Sequence, residues 1–159
     1  MRKIDILLTE YGESHQNTTN KAIHWLCVPL IFFSLVALVA SIQASALEKI
    51  AGQKDAFTNW ATLVLLLATV YYVSLSIPLA LGMVLFSVVC LQGAYALSQM
   101  AILPLWQMAL LIFTLAWIGQ FYGHKIEGKK PSFLKDVQFL LVGPAWLLHF
   151  IYKKVGVRY

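Results

Sequence analysis

Apolar residues fall along the chain in long blocks, and the polar residues gather between them. Residues 1–14 set Ile4, Leu7, Leu8 and Tyr11 at helical spacing, with Arg2, Lys3, Asp5, Glu10 and Glu13 at the other positions. This predicts a short amphipathic helix, on the membrane surface or packed on the bundle, that Gly12 ends. Thr18 or Thr19 can cap the next helix, which runs through Asn20 and His24 into the 18 apolar residues Trp25 to Ile42. That run is just long enough to cross roughly 30 Å of hydrocarbon, with a kink expected at Pro29. Gln43 to Asn59 is a long polar break and reads as a loop on the far side.

Trp60 to Leu97 is nearly all apolar, punctuated at Ser74 to Pro78. One helix over 38 residues would be about 57 Å long, too long for a single crossing. Two spans of about 19 residues with a tight turn near Pro78 fit better. Gln99 to Pro104 makes the next turn, and Leu105 to Tyr122 the fourth span. After the polar, basic stretch GHKIEGKKPSFLKD, Val137 to Tyr152 is apolar over only 16 residues and contains Gly143-Pro144. A segment that short reads as a re-entrant or interfacial helix. The expected fold is therefore one all-α membrane domain over residues 1–159, with four transmembrane helices, an N-terminal amphipathic helix and this short C-terminal one.

Composition agrees. The chain is 60% hydrophobic and 12% charged, with a mean hydropathy of +0.73, whereas a soluble domain is about a quarter charged. Its net charge of +5 comes from basic residues flanking apolar spans, not from a basic face interleaved with aromatics, which argues against nucleic acid as a partner. Cys27 and Cys90 both lie in apolar segments and make no disulfide framework. The polar start lacks the early apolar core of a signal peptide, so the first span is expected to stay as an uncleaved anchor.

Charge also orients the chain. Arg2, Lys3, Lys21, Lys125, Lys129, Lys130 and Lys135 fall on one side of four spans, Lys49 and Lys54 on the other. The first side is then cytoplasmic, at the inner membrane in a bacterium or the endoplasmic reticulum in a eukaryote. If the last helix stays on that side, all four histidines, His15, His24, His124 and His149, share one membrane face.

These histidines carry the candidate chemistry. Asn17, Asn20 and His24 share a helical face, at i−7 and i−4 from the histidine. His15, nine residues from His24, is out of phase and joins them only if the helix breaks near Asn17-Thr18-Thr19. His124 and Glu127, at i and i+3, make a ligand pair or a ligand with its orienter; the alternative is a solvated Glu127 paired with Lys129 or Lys130. A lone buried histidine such as His149 is more often a hydrogen-bonded core residue, and Cys27, at i+3 from His24, is within reach of a metal yet suits a buried thiol. Histidine with Asn and one carboxylate fits Fe(II) or Zn(II) better than Mg or Ca. No GxSxG, Walker loop, GxGxxG or HExxH occurs.

YGESHQNTTNKAIHWLCVPL, then WIGQFYGHKIEGKKPSF and LLVGPAWLLHFIYKK, resemble the Mpo-type family, whose characterised yeast member is a 2-hydroxy-fatty-acid dioxygenase of the endoplasmic reticulum. The resemblance covers most of the chain. It implies an iron(II) enzyme that shortens a 2-hydroxy fatty acid by one carbon with O2 and without 2-oxoglutarate. Histidines hold the metal: His15 and His24 match the first block, His124 with Glu127 the GHKIEG block, and His149 the last. Glu127, Asn20 and Asn17 would serve the chemistry, the acyl chain would lie between the spans, and Lys21, Lys125 or Lys129 would attract the carboxylate. Two other classes compete. One is a zinc hydrolase acting on a lipid head group, which O2 uptake would exclude. The other is a non-catalytic membrane protein, such as a carrier or an assembly factor, but near the midplane of the spans only Ser34, Thr69, Ser87 and Thr114 are scattered, and such hydroxyls usually bond their own helix.

Overall fold

The computed structural model describes residues 2–100, 102–130 and 138–159. Lys135, Val137 and the Pro131-Ser132-Phe133 end of the second motif block lie outside the described residues. Within them the chain forms helices α1 (Lys3–Glu13), α2 (Thr18–Ala40), α3 (Ser45–Ala51), α4 (Trp60–Leu75), α5 (Ile77–Gln99), α6 (Leu105–Glu127) and α7 (Gln138–Val155), and no strand. Three of these, α2, α5 and α6, are long and apolar enough to cross a membrane; α4 is a shorter apolar helix.

α1 buries all four of its apolar positions, Ile4, Leu7, Leu8 and Tyr11. It packs on the bundle, chiefly against α7, and Gly12 stays inside its last turn. Asn17 caps α2, not Thr18 or Thr19. Its side-chain oxygen accepts from the backbone N–H groups of Thr19 and Asn20 at 2.9 and 3.3 Å, which a residue already in helical geometry cannot do. Pro29 lies within a helix that runs on to Ala40.

The hairpin after the far loop is less even than expected, with 16 residues in α4 and 23 in α5. The break falls at Ser76, extended at φ −169°. Pro78 then sits in the first turn of α5, where its missing N–H has no helical acceptor to lose. The far loop itself contains α3, which ends on Gly52 at φ +71°. α7 runs 18 residues through Pro144 and into Lys153-Lys154. Ser34, Thr69 and Thr114 each donate to a carbonyl of their own helix, so these hydroxyls line no path through the bundle.

α2 is the central helix, touching α4, α5, α6 and α7, and its most extensive partner is α6. Gly119 and Gly123, one turn apart on α6, make that contact close. A Cβ at Gly119 would strike Cys27 Sγ, and one at Gly123 would strike Asn20 Oδ1. Small residues spaced i, i+4 let two apolar helices approach where lipid supplies no hydrophobic drive. This approach brings His124 on α6 beside His24 on α2.

Candidate metal centre

Three histidines converge where α1, α2 and α6 meet. His15 stands on the linker between α1 and α2, so the chain breaks where that residue needs it to. Its ring stacks on Tyr11 at 4.4 Å between centroids. The His15 and His24 rings lie 4.2 Å apart, and His124 is 5.0 and 4.9 Å from them. All three are buried, at 1%, 0% and 4% exposure.

Backbone carbonyls fix two of the rings. His15 Nδ1 is 2.6 Å from the Tyr11 carbonyl and His24 Nδ1 2.9 Å from the Asn20 carbonyl. A carbonyl only accepts, so each Nδ1 carries the proton and each Nε2 keeps its lone pair. Those two Nε2 atoms, together with His124 Nδ1, are buried and have no hydrogen-bond partner among the described residues. One nitrogen from each ring lies within 4.8 Å of the other two.

Each orphaned polar atom costs about 1–3 kcal/mol in a folded interior, and three at one point form a group that could hold a metal ion. Two imidazole nitrogens with their lone pairs free, beside a third buried imidazole nitrogen, suit a borderline dication such as iron or zinc. Burial pushes the His15 pKa below its ordinary value; the Tyr11 carbonyl and the Glu127 carboxylate oppose this, and the Lys21 charge adds to it. The ring is therefore neutral at pH 7, the state that ligates a metal.

Glu127 lies on the same turn as His124, but its carboxylate faces the linker. Oε1 accepts from Gln16 N at 2.8 Å; Oε2 accepts from Asn17 N at 2.8 Å and from Asn20 Nδ2 at 3.1 Å. It makes no pair with Lys129, which donates instead to the Glu13 carbonyl at 2.6 Å. Glu127 ties the segment carrying His15 to the end of α6. Gly128, at φ +71°, ends α6 immediately beyond it, and that left-handed turn favours glycine. In GHKIEG, the first glycine admits Asn20, His124 offers a nitrogen, Glu127 holds the linker and Gly128 stops the helix.

The other candidates are placed as follows. Asn17 caps α2, while Asn20 donates to Glu127 and fixes His24 through its carbonyl. Lys125 is exposed. Cys27 is buried against Gly119. His149 lies outside the group of three; its Nδ1 is hydrogen-bonded to the Tyr159 hydroxyl, and its ring packs on Phe150. Sequence reasoning missed Gln120, which is buried one turn before His124 and lines a cavity of about 30 Å³ with His15 and His124. An amide within an apolar span was the signal for it. Trp146, whose ring centroid is 5.2 Å from that of His15, gave none.

No curated protein and no solved structure matches the chain. A family model does, over residues 1–155, and its description is 2-hydroxy-palmitic acid dioxygenase Mpo1-like. With a match of that extent, the chain belongs to the Mpo1-like family.

Proposed function

We propose that this protein is an iron(II)-dependent membrane dioxygenase that shortens long-chain 2-hydroxy fatty acids by one carbon. The observation that carries the reading is the set of three buried imidazole nitrogens left without partners, in a chain of this family. The overall reaction balances without a further reductant: the 2-hydroxy acid and O2 give the shorter acid, CO2 and water. Bound iron supplies the redox chemistry. His15, His24 and His124 hold it, and the Tyr11 and Asn20 carbonyls keep the lone pairs of the first two turned inward. Glu127, Asn17 and Asn20 position these ligands. Lys21 and Lys125 attract the substrate carboxylate electrostatically.

In this reading α4 joins α2, α5 and α6 as a fourth span, and α7 lies at the interface with its basic end in the headgroups. Arg2, Lys3, Lys21, Lys125, Lys129 and Lys130 support a cytoplasmic face for the histidine end, against Lys49 and Lys54 at the other. O2 uptake by purified protein given 2-hydroxypalmitate, with mass spectrometry of the product, tests the function. The expected result is matched O2 consumption and formation of the acid one carbon shorter. A metal-loaded protein that consumes no O2 with any 2-hydroxy acid would overturn it, and would leave the zinc hydrolase reading in its place.

A further inference from the structure

Two apolar grooves open beside the bundle, and only one is continuous with the histidine cluster. The first lies between α2 and α4 under the start of α7, with a volume of about 180 Å³. It shares Phe32 and Leu140 with the small cavity at His15 and His124. The second, about 260 Å³, lies among Trp25, Pro29, Met83 and Leu148 and has no lining residue in common with that cavity.

The continuity follows from one face of α2. His24, Val28, Phe32, Val36 and Val39 recur at helical spacing, from the cluster through the cavity to the end of the groove. From His24 to Val39 is about 22 Å of helix, a length that suits an extended long-chain acyl group. Opposite, α4 presents Ala61 and Ala68 two turns apart, and these small side chains leave the space. One turn past Ala68, the Tyr72 hydroxyl donates to the Leu141 carbonyl at 2.8 Å and pins α4 to α7.

We propose that the alkyl chain of the substrate lies in the α2–α4 groove, entering past Phe32 and Leu140, with Ala68 and Val64 setting the chain length accepted. This rests on the fatty-acid reading above. A chain that leaves the bilayer for this groove exchanges one apolar surface for another, so the groove contributes little affinity. Its contribution is selection by shape, and it points the hydroxy-acid end at the cluster.

The test uses the full chain in lipid nanodiscs, with kcat/KM measured for 2-hydroxypalmitate and for a medium-chain homologue. Ala68→Phe fills the groove, and Val64→Phe narrows the same wall from a more exposed position should the first variant misfold. Each is expected to lower the long-to-medium ratio of kcat/KM about tenfold, in the range that overpacking costs. Leu148→Phe, in the other groove, is expected to leave the ratio unchanged. A 2-hydroxypalmitate carrying a diazirine at its far end is expected to label residues 61–68, competed by unlabelled 2-hydroxypalmitate. An unchanged ratio in both α4 variants, or competed label on Met83 and Leu148 instead, overturns the groove while the dioxygenase reading stands. No O2 uptake by the wild type with either acid overturns the dioxygenase reading itself.

Discussion

The bundle has two polar ends, and they use their polar groups in opposite ways. At the far end, Asp55 has every neighbour it needs: its carboxylate accepts from Phe57 N, Thr58 N, Thr58 Oγ1 and Gln53 Nε2. Asn59 caps α4 at Thr62 N, and Trp60 Nε1 donates to the Gln43 carbonyl. These groups serve the loop that contains them. At the other end Asn17 caps α2 in the same manner, and Glu127 takes three donors, yet three imidazole nitrogens remain buried and unpartnered. Polarity alone marks neither end as functional. The difference is one of convergence: at the far end Thr62 Oγ1 is a single buried oxygen without a partner among the described residues, whereas at the other end three such nitrogens meet at one point, as a metal site requires.

The largest expected effect comes from emptying that centre. His24→Ala or His124→Ala should reduce bound iron, measured by elemental analysis, from stoichiometric to background. Asp55→Ala should leave it untouched. Stripping the wild type with a chelator should lower its unfolding temperature by on the order of 10 °C, since a ligand present at about a thousand times its dissociation constant stabilises by about 4 kcal/mol. The same treatment of His24→Ala should shift nothing. Iron retained in full by both histidine variants would erase the contrast between the two ends.

Next in size is Glu127→Ala. Partners that orient metal ligands typically contribute tenfold to a hundredfold in metal affinity. Glu127 acts on His15 through the linker, so a loss of about tenfold in a metal titration is expected, with Glu127→Gln between that and the wild type. Metal loss as complete as in His124→Ala would make Glu127 a ligand and not a clamp.

Much of this was legible in the residues. The length of the apolar blocks marked α2, α5 and α6, the three helices long enough to span, and counting crossings led to the expectation of the histidines on one side. The side of a membrane is not a site, however. His149 shared the same expected face and ends up bonded to Tyr159, because only packing decides which side chains meet. The break that frees His15 was expected near Asn17, but the capping group was misassigned to its threonine neighbours. Glu127 is legible as a partner of this site but its direction is not: it shares a turn with His124, yet its carboxylate is drawn to the donors of the linker, Gln16 N and Asn17 N, and to Asn20 Nδ2, and spacing within α6 does not reveal a contact with another segment. The Gly119–Gly123 contact that sets the distance between α2 and α6 has only the i, i+4 spacing of two glycines as its signal, and that spacing does not say which helix comes close.

That contact supplies a third, smaller effect. Gly123→Ala forces a methyl against Asn20, a side chain that also holds Glu127. An overpacking cost of about 1–3 kcal/mol is expected in denaturant unfolding, together with weaker iron binding. Gly93→Ala, toward the far end, meets only the edge of the Phe33 ring at 3.0 Å. It should leave iron affinity unchanged; equal loss in both variants would mean that the centre responds to any strain in the bundle.

The smallest effect is the sharpest comparison, because the two ends carry the same device. Asn17 caps α2 and Asn59 caps α4, each through its side-chain oxygen. Replacing either by alanine should cost about 1 kcal/mol of stability, and the two should be nearly indistinguishable in an unfolding experiment. Iron titration should separate them. The Asn17 cap holds the N–H of Asn20, whose carbonyl fixes His24 and whose amide reaches Glu127, so Asn17→Ala should weaken iron binding a few-fold. That is less than the roughly tenfold lower bound for groups that touch a ligand directly. Asn59 has no such chain of contacts behind it, and Asn59→Ala should bind iron as the wild type does. If both variants lose affinity in proportion to their lost stability, the cap at Asn17 acts on the fold alone, and the path from cap to ligand is broken at Asn20.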